Sequence, residues 1–259
     1  MPHRLSNVDF GKTADDYATH RAGFPDSFYT WLERYGVQPA GKQLVDLGTG
    51  TGTLARGFAK RGAHVIGIDP SAQMLDQARD LAARESQTIE FNLASAEQTG
   101  LADQSVDIVC AGQCWHWFNR ARAAAECRRI LKPNGSIVIG HFDWIPSPGN
   151  VVAATEELIR KHNPQWNMHG GTGVHSKWFA DLTAAGFADL LSHSHDEFTT
   201  YSHAAWRGRI RASAGIGASL SAEAIKRFDE EHAQMLAASF PGEPLQTHHR
   251  VFFLIARAP

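Results

Sequence analysis

Several quick routes to a class are missing from this chain. No apolar run approaches the roughly 18–20 residues that a bilayer-crossing helix needs. The opening residues, MPHRLSNVDFGKTADDY, hold no apolar core of a secretory signal, so a soluble cytoplasmic protein is expected. Cysteine is scarce: Cys110, Cys114 and Cys127 are odd in number and lack CxxC spacing, which argues against a disulfide framework and for a reduced compartment. An excess of charge is also lacking. A net charge of −2 over 259 residues gives no electrostatic reason to expect nucleic acid or an anionic membrane as partner. Internal repeats and low-complexity segments are absent. Histidine is plentiful, at fourteen, yet His162, His169, His175, His193, His195 and His203 form neither HExxH nor a finger spacing. His193 and His195 would share one face of a strand, which is half a site, so no metal is expected.

What the chain does have is alternation. Strand-like apolar runs at 42–47, 63–69, 88–94, 105–112 and 135–142 are separated by helical patterns at 53–62, 71–85 and 121–133. Strand and helix repeated in this way predict a doubly wound α/β fold, its sheet parallel and covered on both faces. A helix at 24–36 precedes this core. Beyond a linker at 145–150, helices are expected at 151–162, 178–186, 203–215 and 221–240, with a strand inside 187–202 and a last strand at 248–259. The length suits one large domain, or one domain with an insertion.

The stretch LVDLGTGTGTL (44–54) carries the most information. A strand runs into Gly48, Gly50 and Gly52, where bare backbone can bend and let a ligand lie beside a helix start. Asp69 closes the second strand nineteen residues after Gly50, where a carboxylate can meet both hydroxyls of a ribose. GTGTLA from Gly50 fits the dinucleotide pattern, so an NAD(P)-dependent oxidoreductase is one reading. Counted from Gly48, the first glycine after the strand, the pattern fails at Thr53. Asp46 would repel a pyrophosphate and suits a cationic ligand end such as an amino acid ammonium. No Tyr-x-x-x-Lys or comparable hydride-transfer set is evident either. A nucleoside carrying an amino acid fits better.

VDLGTGTG, IGIDPSAQML, ASAEQTGLADQSVDIVCAGQCWHWF and LKPNGSIVI together resemble the class I S-adenosylmethionine-dependent methyltransferases, in the small-molecule branch that includes trans-aconitate-type enzymes. The resemblance is good over about 10–142 and loose beyond. It implies a Rossmann-like, seven-stranded, mostly parallel sheet with an antiparallel last strand and a helical lid insertion. It implies S-adenosylmethionine as cofactor and S-adenosylhomocysteine as product. Asp46, Gly48, Thr49, Gly50 and Gly52 would hold the methionine end, and Asp69 with Pro70 the ribose. Met74, Ala96 and Glu97 would lie at the adenine. Ser95 stands where many relatives carry Asp. Tyr17 and Arg21 resemble a Tyr-x-x-x-Arg cap on the cofactor carboxylate.

QCWHWF (113–118) follows the fourth strand, across the switch in strand order from the first, where the transferable methyl should point. Aromatic faces stabilise a sulfonium cation and exclude water. Trp115, His116 and Trp117 are therefore candidate wall residues, one tryptophan facing the pocket and the other the core, with Gln113 as a polar contact to cofactor or acceptor. His116 is a base for a hydroxyl or amine acceptor, or else an orienting group; a carboxylate acceptor would need no base. Trp166, His169, His175 and Trp178 are candidate acceptor lining. Trp206, Arg207 and Arg211 could clamp an acidic substrate. The expected organisation is an N-terminal helical cap (1–40), a cofactor-binding core (41–144), a lid insertion (145–186) and a C-terminal part completing the sheet (187–259), whose segment 202–215 adds to the lid. The expected activity is methyl transfer to a small molecule, favouring oxygen and including a carboxylate. A non-catalytic S-adenosylmethionine-binding protein is the other alternative. No nucleic-acid or membrane partner is expected, and the protein should be a monomer or homodimer.

Overall fold

A computed structural model describes residues 23–259, so Tyr17 and Arg21 fall outside it. The elements are α1 (Asp26–Arg34), β1 (Gln43–Leu47), α2 (Thr53–Ala59), β2 (His64–Asp69), α3 (Ala72–Arg84), β3 (Ile89–Leu93) and β4 (Val106–Gly112). A single 3-10 turn (Trp115–Trp117) then leads to α4 (Arg120–Ile130) and β5 (Leu131–Trp144). The rest comprises α5 (Val151–His162), α6 (Trp178–Ala184), β6 (Ala188–Tyr201), α7 (His203–Arg211), α8 (Ala222–Ser239) and β7 (Leu245–Arg257). No helix among the described residues is long and apolar enough to cross a membrane.

The seven strands form one sheet in the order β3-β2-β1-β4-β5-β7-β6. β1 runs parallel to β2 and to β4, and β4 parallel to β5. β7 reverses direction: Asn134 N–H bonds to Ala258 and Ile145 N–H to His248, so residue numbers rise on one strand as they fall on the other. Strand order switches between β1 and β4, which places the crevice of a doubly wound sheet beyond their carboxyl ends. β1 and β2 are buried at successive positions, as strands covered on both faces are, rather than alternating between buried and exposed.

Helix starts follow side-chain capping. Ser71, Asn119, Asn150, Ser202 and Ser221 each accept from a backbone N–H in the first turn of α3, α4, α5, α7 and α8. Several boundaries differ from the sequence expectation: the helix expected at 203–215 ends at Arg211, and the last strand starts at Leu245. Helix 121–133 ends at Ile130, and Pro133 lies within β5. The chain is already extended at Leu131, and Pro133 bars a return to helix because it drives Lys132, the residue ahead of it, out of the helical region.

Two compact units are distinguishable among the described residues. The first holds 23–142, 175–195 and 251–259; its core includes Val45, Leu47, Ile68, Val109, Ile137, Ile139 and Leu254. Here Gly112 pairs with Gly140, and side chains from the flanking helices press on both. A Cβ at Gly112 would lie 2.4 Å from Leu54, and one at Gly140 would lie 2.8 Å from the Phe28 ring. The second unit holds 143–174 and 196–250, built around Val152, Ile159, Trp206, Ile210, Phe228 and Leu236. Its core contains a polar thread. Trp206 Nε1–H donates to Thr155 Oγ1 at 3.0 Å, and Thr155 also meets His232, which burial pushes down to about 4.

Candidate active site

The glycine turn between β1 and α2 is built on backbone that only glycine adopts easily: φ is +61° at Gly48, +54° at Gly50 and +77° at Gly52. A Cβ at Gly48 would sit 3.0 Å from Cys114 and 3.1 Å from Phe118, so the turn and the segment after β4 touch. A Cβ at Gly50 would meet nothing within 4 Å, so bare backbone faces open space there.

Two carboxylates fix this turn. Gly50 N–H donates to Asp69 Oδ2 at 2.9 Å, while Asp69 Oδ1 accepts from Ser71 N–H at 2.9 Å. Burial pushes the Asp69 carboxyl above the usual carboxylate range, against these two bonds. Asp46 lies beneath, about 1% exposed. Its Oδ2 accepts from Thr49 Oγ1–H at 2.7 Å and Ala55 N–H at 3.1 Å, and its Oδ1 from the Cys110 thiol at 3.4 Å. Burial pushes Asp46 up to about 6. The expectation that Asp46 presents its carboxylate to a ligand ammonium is corrected: the group is buried and clasps the turn from below.

Beyond β4 the chain bends at Gln113, whose φ of +59° costs a residue with a Cβ roughly 1–2 kcal/mol. Bonds into β5 hold it there: Gln113 N–H donates to Gly140 O at 2.9 Å and Nε2–H to Phe142 O at 3.2 Å. Trp115 is fully buried in the core and its Nε1–H donates to Asp181. It offers no surface to a ligand, which corrects its place among wall residues. Trp117 is the half-buried indole of the pair.

His116 is half-buried, with its ring 5.4 Å from that of His141 on β5. His141 lies 4.3 Å from His175, and His175 stacks flat on Trp178, centroids 4.1 Å apart and planes within 2°. His141 was not singled out by the sequence. Its signal was there in GHF, a polar group straight after the glycine that ends the apolar run of β5.

A methyltransferase domain model matches residues 45–139. An uncharacterised methyltransferase of Mycobacterium tuberculosis is 32% identical over 163 residues, covering 61% of this chain and 64% of its own length. The ubiquinone biosynthesis O-methyltransferase of Dechloromonas aromatica is 31% identical over 177 residues, covering 67% of this chain and 73% of that one. The chain belongs to the class I S-adenosylmethionine-dependent methyltransferases. A solved protein of Anaeromyxobacter dehalogenans, provisionally assigned as a type II methyltransferase, shares the fold at a TM-score of 0.65 and 24% identity, over 92% of this chain and 97% of that one. A Haemonchus contortus N-methyltransferase solved with phosphomonomethylethanolamine and S-adenosylhomocysteine shares it at 0.60 and 19% identity, over all of this chain and 61% of that one.

The chain places its remaining candidates unevenly. Met74 and Ala96 are buried, Ser95 is half-buried and bridged to Gln98, and Pro70 is exposed. Glu97 accepts from Asn119 N–H at 2.8 Å, tying the loop after β3 to the start of α4. Of the acceptor candidates, His175 belongs to the first unit, while Trp166, His169, Trp206, Arg207 and Arg211 belong to the second. Within that unit Trp166 packs against the core and His169 is exposed. The arginine clamp is corrected. Trp206 is fully buried, and Arg207 and Arg211 both donate to Asp229, Arg207 through Nε at 3.0 Å and Arg211 through Nη1 at 2.9 Å. A carboxylate spaced along α8 was the partner that a scan of α7 alone could not find.

Proposed function

We propose that this methyltransferase carries a methyl group from S-adenosylmethionine to an oxygen of a small-molecule acceptor, a carboxylate oxygen included. The observation behind this reading is the direct contact of the glycine turn, open at Gly50, with the segment that bears His116 and Trp117. The residues suit the cofactor: a bare backbone at Gly50, a carboxylate fixed beside it at Asp69, and buried apolar groups at Met74 and Ala96. When bound, the cofactor supplies an electrophilic methyl on a positively charged sulfur.

Asp69 then accepts from the ribose hydroxyls with the lone pairs left over from Gly50 and Ser71. Gly48, Thr49 and Gly52 shape the backbone around the methionine end. Ser95 and Glu97 flank the adenine, with the serine hydroxyl serving its amine. Trp117 covers the cationic centre and keeps water out. His116 takes the proton from a hydroxyl acceptor at a ring nitrogen; a carboxylate acceptor needs only alignment. Gln113 orients the acceptor from its braced position. Acceptor selection is assigned to 145–186 with 202–215. The name of the Dechloromonas relative supports oxygen as the methylated atom.

Thermal unfolding with S-adenosylmethionine, S-adenosylhomocysteine, NAD and NADP tests the reading. Either adenosyl compound at a hundredfold its Kd should stabilise the fold by about 2.7 kcal/mol, and Asp69→Ala should abolish the shift. Stabilisation by NAD alone would sink the proposal. Binding without turnover across a broad acceptor panel would point to a cofactor-binding protein without chemistry.

A further inference from the structure

A second cluster of side chains, within the first unit, plays no part in methyl transfer. His193 and His195 stand two apart on β6 and share one face of the strand. Their facing nitrogens, His193 Nε2 and His195 Nδ1, are 3.0 Å apart. Each outer nitrogen meets a hydroxyl from α1 or its end: His193 Nδ1 lies 3.3 Å from Tyr35 Oη, and His195 Nε2 lies 3.0 Å from Ser27 Oγ. The His193 ring is held between Trp31, at 4.4 Å, and Phe253, stacked at 5.2 Å.

We infer that His193 and His195 form a two-imidazole chelate for a divalent transition ion, with Cu2+ the best match. The outer nitrogens sit where metal-bound imidazoles carry their N–H, each within reach of a hydroxyl oxygen that can accept it. With both outer nitrogens protonated, each inner nitrogen keeps a lone pair, the two 3.0 Å apart. Two nitrogens each about 2.0–2.1 Å from one ion would be about 2.8–3.4 Å apart for angles between square and tetrahedral. The separation of 3.0 Å lies inside that range, toward the right-angled end that suits tetragonal Cu2+ or Ni2+. Cu2+ heads the order of affinity for nitrogen donors. Both rings are half-buried, so water can complete the coordination sphere. The same distances would fit a relay in which each ring passes one hydrogen along from Tyr35 to Ser27; that arrangement binds no ion.

Titration of Cu2+ into the tag-free full-length chain separates the two, followed by calorimetry and by electron paramagnetic resonance at one equivalent. The expected result is one site whose spectrum shows splitting from two equatorial nitrogens. Its affinity should fall at least about 100-fold in His193→Ala and in His195→Ala, and about 10-fold in Tyr35→Phe and Ser27→Ala. Equal affinity in wild type and both alanine variants overturns the inference, as does a wild-type spectrum with fewer than two imidazole nitrogens. The spectrum does not depend on any variant folding. Stabilisation by S-adenosylhomocysteine, measured on the same samples, reports the methyltransferase reading separately, so either can fail alone.

Discussion

The two sides of the candidate active site are built in different ways. The glycine turn is a backbone device. Its shape comes from positive φ angles at 48, 50 and 52 and from two strand carboxylates, Asp69 accepting from Gly50 N–H in the turn and Asp46 from Ala55 N–H in α2. The side beyond β4 and β5 is made of rings. His116, His141, His175 and Trp178 come from three separate segments, and their rings meet. A backbone site tolerates little change but is specified within a short stretch. A ring-built site can be reshaped one side chain at a time, which suits the acceptor-binding role proposed for it.

Substitutions can test that contrast, starting where the expected effect is largest. With a hydroxyl acceptor, His116→Ala should lower kcat by about 10²–10⁴-fold and leave the stabilisation by S-adenosylhomocysteine intact. A drop smaller than tenfold would refute His116 as the base, and loss of cofactor binding would refute the division between the two sides. Gly48→Ala should cost about 2–4 kcal/mol in urea unfolding, since a left-handed φ and a contact at 3.0 Å with Cys114 add together.

Asp46 gives a pH test of the clasp under the turn. Its folded-state value is raised to about 6, so its contribution is fully present below the ordinary carboxylate range and is lost as pH rises through about 6. Wild type should therefore gain about 2–3 kcal/mol relative to Asp46→Asn between pH 7 and pH 4, read as a difference of unfolding curves. An unchanged difference would mean that the clasp does not bury a charge. The smallest effect is expected on the ring side. His175→Ala should remove a stacked pair worth about 0.5–1.5 kcal/mol and raise the KM for the acceptor more than that for the cofactor.

The same contrast explains what could be read from the sequence. The strand–glycine–helix–strand–Asp unit is local, and its residue types admit few other uses, so Gly48, Gly50, Gly52 and Asp69 stood out. The order of alternating elements likewise implied the sheet. What escaped depends on partners far along the chain. Whether Trp115 or Trp117 is core is decided by Asp181, some sixty residues on, which takes the Trp115 N–H. Arg207 and Arg211 looked like a clamp until Asp229 on α8 was seen to hold both. His141 drew no notice because its ring neighbours, His116 and His175, lie on other elements.

The paired glycines at the ends of β4 and β5 have a consequence for folding order. Phe28 and Leu54 can settle only where Gly112 and Gly140 leave the sheet surface bare. A slip of one residue between the strands would place Ile139 or His141 opposite Gly112, and a side chain would then occupy the seat of α1. Docking of α1 therefore acts as a checkpoint on strand register. It belongs late in folding, where destabilising Phe28 should speed unfolding far more than it slows folding.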